Sequence, residues 1–161
     1  MTIEIRLADY NNPTDAQVIV ELLNGYAQDP MGGGEPLMAS TQQNLVGALA
    51  KIPHAFSVLC FVDNQAAGLI NCFEGFSTFK CKPIINVHDV TVVGEFRGLG
   101  LSLKMMDKVE DIARERGACK ITLEVLEGNK VAQGSYLKFG FSSYELDPKM
   151  GKAMFWEKPL K

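Results

Sequence analysis

The feature that most constrains this chain is the passage from Ile85 to Gly117. Six of its first nine residues, INVHDVTVV, are β-branched, as expected of a strand covered on both faces. They run directly into Gly94–Ser102, GEFRGLGLS, where glycine and serine surround one arginine. Beyond it, Leu101, Met105, Met106, Val109, Ile112 and Ala113 fall on one stripe, which predicts a helix over about Leu99–Arg116 stopped by Gly117. A buried strand feeding an amphipathic helix through a glycine-rich turn implies a layered α/β chain whose helices cover a sheet.

Such a turn can carry chemistry. Arg97-Gly98-Leu99-Gly100-Leu101-Ser102 brings several unpaired backbone N–H groups to the helix start, where they and the helix dipole favour an anion. Glycine lets a ligand approach without a Cβ in the way, and Arg97 adds a bidentate donor for phosphate oxygens, so a pyrophosphate suits this stretch. A tight turn whose glycines only relieve crowding is the plainer alternative. The phosphate loop of nucleoside triphosphatases requires G-x-x-x-x-G-K-[ST], and no Lys-Ser or Lys-Thr follows these glycines. The dinucleotide fingerprint G-x-G-x-x-G is met at Gly98 and Gly100 but not at Leu103, with Glu124 as a ribose-binding acid if that reading held.

The remaining segments supply the other elements. TIEIRL alternates as a strand, and Asn12 or Thr14 with Pro13 opens a helix that buries Val18, Ile19, Leu22, Leu23 and Tyr26. DPMGGGEP is expected to be a flexible loop without regular structure, after which Ser40 or Thr41 caps a short helix that Pro53 ends. AFSVLCFV and AGLINCFEGFSTF, joined at Asp63-Asn64-Gln65, form a hairpin. CKITLEVL is a further strand, and Asn129 begins a short helix ending at Phe139-Gly140. FSSYEL and AMFWEKPL close the chain as two more strands. The expected layout is therefore a mixed α/β sheet of seven strands with about four helices, in one domain over residues 1–161.

Charge and cysteine usage exclude several classes. A net charge of -3, with no block of like charges, offers no broad attraction for nucleic acid. No apolar run approaches the roughly 18 residues that span a bilayer, and MTIEIRLADY lacks the start of a secretory leader, so a cytoplasmic protein without membrane partners is expected. Cys60, Cys72, Cys81 and Cys119 form no C-x-x-C pair and no metal spacing with His54 or His88; they read as reduced thiols, and no metal is expected.

Two motifs resemble those of the GNAT superfamily of acetyl-coenzyme A (acetyl-CoA)-dependent N-acetyltransferases. One is the strand followed by Arg97-x-x-Gly100-x-Ser102, in which Ser102 stands where the family has glycine or alanine. The other, one helix and one strand later, is Asn129, Ala132, Tyr136, Gly140 and Phe141 in the spacing N-x-x-A-x-x-x-Y-x-x-x-G-F. The resemblance is strong over residues 84–141. It implies a mostly antiparallel sheet splayed between the fourth and fifth strands, with acetyl-CoA as cosubstrate in the gap. It also implies that the backbone of Val92 and Val93 binds the acetyl carbonyl and pantetheine arm. The amides of Arg97, Gly98, Leu99, Gly100, Leu101 and Ser102 would hold the pyrophosphate, and Asn129 would contact the pantetheine or support its helix.

The implied reaction is direct attack of an amine on the thioester, with no covalent carrier. Such chemistry needs a base for the amine, an N–H donor for the carbonyl oxygen and an acid for the departing sulfur. Val92 is the candidate donor and Tyr136 the candidate acid. His88 and Asp89 are the candidate base and its partner; alternation along a strand lets only one of them face the cleft. Glu35, in the glycine-rich loop, and Glu74 and Glu124 are candidate contacts for the amine. The expected substrate is a small-molecule primary amine; a protein N-terminus or lysine, or a non-catalytic CoA-binding module, is the alternative. Members of the family often dimerise through terminal strands, so a homodimer is compatible with the resemblance.

Overall fold

Strand β1, Ile3–Leu7, lies antiparallel to β2, Ala55–Val62, and β2 to β3, Gln65–Ser77. Asp63 and Asn64, both with positive φ (48° and 66°), make the hairpin turn expected at that position. Strand β4, Lys82–Val92, pairs antiparallel with β3 along its length, and β5, Lys120–Leu123, pairs with β4 in parallel. The sheet order is β1-β2-β3-β4-β5. The structure is a computed structural model that describes residues 1–160, and it divides into two compact units, Met1–Leu123 and the segment from Glu124 onward.

Two layers of helix cover the sheet of the first unit. Helix α1, Pro13–Gln28, begins where the Asn12 side chain accepts the N–H groups of Thr14 and Asp15. With α2, Ala39–Leu49, it packs Ile19, Leu22 and Val46 against Leu59 and Leu69. On the opposite face, Gly68 admits the Met105 side chain of α3, Leu101–Glu115; a Cβ at Gly68 would lie 2.7 Å from the Met105 methyl. The six residues of the predicted α3 stripe are all buried.

Several expectations are corrected. Five strands occur among the described residues, not seven: FSSYEL and AMFWEKPL are irregular, although Ala153 N–H donates to Tyr144 O at 2.9 Å. Asp147 instead caps a 3-10 turn at Pro148–Met150, and Pro148 and Pro159 bring no N–H to a ladder. Neither Ser40 nor Thr41 caps α2; both lie inside it, and the N-cap is Met38. The glycine-rich segment is also more fixed than its composition implies. Asp29 accepts the Met31 N–H over a 3-10 turn at Pro30–Gly32, Gly34 N–H donates to Ala27 O, and Leu37 N–H donates to Asn24 Oδ1. A Cβ on Gly32 would collide with the Tyr26 carbonyl.

In the second unit, Asn129 accepts the Ala132 N–H at the start of α4, Lys130–Phe139, and Gly140 ends it with φ 114°. Phe141 packs edge-on against Tyr136, ring centroids 5.9 Å apart.

One ion pair fixes α1 to the sheet. Asp15, 2% exposed, receives both terminal nitrogens of Arg6 at 2.8 and 2.7 Å and the Asp9 N–H at 2.9 Å. Hydrogen bonding to Arg6, against the opposing effect of burial, holds the Asp15 carboxyl below its ordinary range. A depressed folded value means that the contribution is complete above the unfolded carboxyl value, about 3.9, and is lost as pH falls through the folded one. Asp15→Asn should therefore lower stability at neutral pH by about 1.5–3 kcal/mol in urea unfolding, a gap that closes on acidification below about pH 4.

Candidate active site

Strand β4 serves two neighbours unequally. Its parallel ladder with β5 joins Ile84–Val87 to Lys120–Leu123 and stops there, while β4 continues beside β3 to Val92. The two strands therefore part company after Val87. Val93 N–H donates to Ala67 O at 2.8 Å, which makes Val93 and Ala67 a hydrogen-bonded pair and the adjacent Val92–Gly68 pair a non-bonded one. The N–H and C=O of Val92 consequently point away from β3, along the edge that β5 has left.

The chain then passes through a 3-10 turn, Gly94–Phe96, into α3. Gly98 and Gly100 are left-handed (φ 86° and 71°), and the space where a Cβ would project from each is open. Gly100 is the N-cap, and no side chain caps the helix. Its first N–H groups are thus available to an anion. The Arg97 side chain donates to Val92 O at 3.4 Å and lies 3.8 Å from Asp29. Both backbone groups of Val93 are engaged internally, the N–H by Ala67 and the C=O by Phe96.

A β-bulge shapes the centre of β4. Asn71 is opposite Asp89 and Cys72 opposite Val87, so His88 is the additional residue. Strict alternation would set His88 and Asp89 on opposite faces; with the bulge, both line one cavity of about 290 Å³ beneath α1 and α2. The His88 Nδ1 lies 3.2 Å from Asp89 Oδ1, and its ring stands edge-on to Phe73 at 5.7 Å. Nε2 is then the ring nitrogen that does not face this carboxylate.

Behind Asp89 runs a buried polar chain. Asn71 Nδ2 donates to Asp89 Oδ2 at 3.1 Å, Ser57 Oγ donates to Asn71 Oδ1 at 2.6 Å, and Tyr10 meets Ser57 Oγ at 2.8 Å. Ser57 is wholly buried and Asn71 nearly so, and among the described residues no buried side-chain nitrogen or oxygen lacks a partner. Tyr26 also lines the cavity, and burial, then the charges of Asp89 and Asp29, raise its phenol above the ordinary value. None of Tyr10, Tyr26, Ser57 and Asn71 was singled out by motif. The available signal was a lone serine and a lone amide inside the apolar strands AFSVLCFV and GLINCF.

The other predicted residues lie elsewhere. Glu35 is exposed in the glycine-rich segment, Glu74 pairs with Arg116 at 3.2 Å, and neither lines the cavity. Glu124, Asn129 and Tyr136 belong to the second unit. Of the cysteines, Cys60 and Cys72 are buried and Cys81 and Cys119 exposed, all four as free thiols. Burial pushes the Cys72 thiol up to about 12, so it stays protonated and unreactive at neutral pH. Among the described residues no cluster could hold a metal ion, and no helix is long and apolar enough to cross a membrane.

A mostly antiparallel sheet whose fourth strand outruns the fifth, followed by a glycine turn at an uncapped helix, defines an α/β fold with an anion seat beside a strand edge. Residues 19–141 match the sequence model of the Acetyltransferase (GNAT) family, and the chain belongs to it. The chain is 35% identical over 68 residues to thialysine N-epsilon-acetyltransferase of Bos taurus, a match covering 42% of this chain and 39% of the bovine protein. The matched stretches span about two fifths of the length of the first curated relatives. An aminoglycoside acetyltransferase from an uncultured soil metagenomic sample, solved with sisomicin, superposes with TM-score 0.80 at 14% identity, over 99% of this chain and 97% of its own. An aminoglycoside N-acetyltransferase solved with CoA gives TM-score 0.74 at 15% identity, over 99% and 96%. These two likenesses establish the fold.

The buried chain makes a quantitative demand. Ser57→Ala and Asn71→Leu should each cost about 1–3 kcal/mol, because each strands a buried polar partner. The double variant should cost less than the sum, since the two changes remove one shared hydrogen bond. Urea unfolding of the four proteins measures the coupling.

Proposed function

We propose that this chain is an acetyl-CoA-dependent N-acetyltransferase that acetylates a primary amine of a small molecule, within one domain spanning residues 1–161. The observation that carries this reading is the end of the β4–β5 ladder at Val87, after which β4 runs on alone on that edge to Val92 and then into the glycine turn and the uncapped start of α3. The residues present suit the cosubstrate. Open space over Gly98 and Gly100 admits a pyrophosphate to the amides of Gly98–Ser102, and Arg97 and Lys104 supply positive charge beside them. Ser102, one residue into α3, is small enough to preserve that approach.

Acetyl-CoA supplies a thioester carbonyl open to attack by a neutral amine. Asp89 attracts the incoming ammonium and orients His88, whose Nε2 takes a proton from the nitrogen. The Val92 N–H stabilises negative charge developing on the carbonyl oxygen as the N–C bond forms. Tyr136, on its place in the N-x-x-A-x-x-x-Y motif, is the candidate acid that protonates the sulfur as the C–S bond breaks, and the second proton lost by the nitrogen goes to solvent, from which the phenol is restored. Asn129 holds the start of α4 and so the placement of Tyr136 on it. Thialysine, the substrate in the bovine relative's name, and the aminoglycosides of the solved neighbours are small molecules bearing amines, which favours that substrate class here.

Release of free thiol from acetyl-CoA across a panel of primary amines tests the reaction. Tyr136→Phe should lower kcat by roughly 10²-fold with the KM for acetyl-CoA unchanged. Gly100→Val should raise that KM about tenfold or more, since a branched side chain would occupy the anion's approach, at a strain of about 1–2 kcal/mol from its left-handed backbone. Binding of acetyl-CoA with no thiol release for any amine would identify a CoA-binding module instead.

A further inference from the structure

We infer that the acceptor is a small amine carrying a single cation on an apolar body, not a polyamine or an aminoglycoside. This rests on the acetyl-transfer reading above and specifies its substrate. The cavity that reaches His88 and Asp89 is walled by Leu23 of α1, Leu37 before α2, Leu45 and Leu49 of α2, and Phe73 of β3. Its volume of about 290 Å³ lies at the lower edge of the roughly 300–1,000 Å³ found for ligand clefts. Asp89 is the one carboxylate among the lining residues; the polar groups Asn71, His88 and Asp89 sit together on neighbouring strands, and the Tyr26 hydroxyl of α1 is the one further polar side-chain group.

The partition of polar and apolar groups sets the ligand. An ammonium is satisfied at Asp89, where Asn71 holds the carboxylate from behind. Whatever trails from that nitrogen lies mostly among leucines and Phe73, and there a methylene gains affinity while a second ammonium loses water without gaining a carboxylate. Glu35 and Glu74, candidate contacts for the amine from the sequence, do not line the cavity, and Glu74 is already paired with Arg116. The glycine-rich segment that carries Leu37 is tied to α1 through Asn24 and Ala27, so this apolar wall is held in place.

Hexylamine and pentane-1,5-diamine have the same number of non-hydrogen atoms and differ in one cationic end. The expected result is a kcat/KM for hexylamine about tenfold or more above that for the diamine, rising about fourfold per methylene from propylamine to hexylamine. Leu45→Glu should reverse the preference, and the ratio of the two kcat/KM values does not depend on the fraction of folded enzyme. Equal or better use of the diamine by the wild-type protein, or a flat response to chain length, overturns the inference while leaving acetyl transfer intact. Thiol release with none of these amines nor with spermidine or kanamycin, despite acetyl-CoA binding, overturns the transfer reading and this inference with it. Preferential use of spermidine or kanamycin overturns the inference alone.

Discussion

The site depends on how β4 divides its hydrogen bonds. A strand paired on both edges offers nothing to a ligand, because every amide is committed. Here β3 satisfies one edge as far as Val92, whereas β5 leaves the other after Val87. The residues between, His88–Val92, keep the rigidity of a paired strand and gain a free edge. That combination gives a backbone donor a fixed direction at no cost in order, which is what electrostatic stabilisation of a developing charge requires. A loop could present the same amide only by being ordered at the moment of binding.

The bulge at His88 is the second half of that arrangement. It re-aims one side chain so that imidazole and carboxylate share a wall, and the buried chain from Asp89 through Asn71 and Ser57 to Tyr10 holds the carboxylate from behind. Three strands and the segment before α1 contribute one residue or more to it. A buried network with every member satisfied specifies a single arrangement, because any slip in register would strand a polar group in an apolar layer. The same bonds that orient Asp89 therefore fix the pairing of β2, β3 and β4.

These features differ in how plainly the sequence displays them. The α3 stripe, the Asn12 and Asn129 caps, the Asp63-Asn64 turn and the left-handed glycines follow local rules, and each is read within a few residues. The bulge is not local: an extra residue in β4 has meaning only against β3, and nothing in VHDV marks it. The Tyr10–Ser57–Asn71 chain joins residues up to 47 positions apart, so only the completed sheet brings it together. The terminal strands failed for the opposite reason. FSSYEL and AMFWEKPL carry strand-like composition, but a strand exists only where a partner accepts its amides, and the Ala153–Tyr144 backbone bond does not make a ladder.

Donor and acceptor halves of the proposed site are built from different materials. Backbone amides, a left-handed pair of glycines and a helix start make the donor half, and these read shape and charge without regard to most side chains. The acceptor half is made of side chains from α1, α2 and β3, where exchanging one leucine for an acid changes which ammonium is welcome. Likeness of fold at 14–15% identity therefore does not carry a substrate from one chain to another. In the proposed site the discriminating information lies in Leu23, Leu45, Leu49 and Phe73 more than in the glycines, because those side chains line the cavity that reaches Asp89.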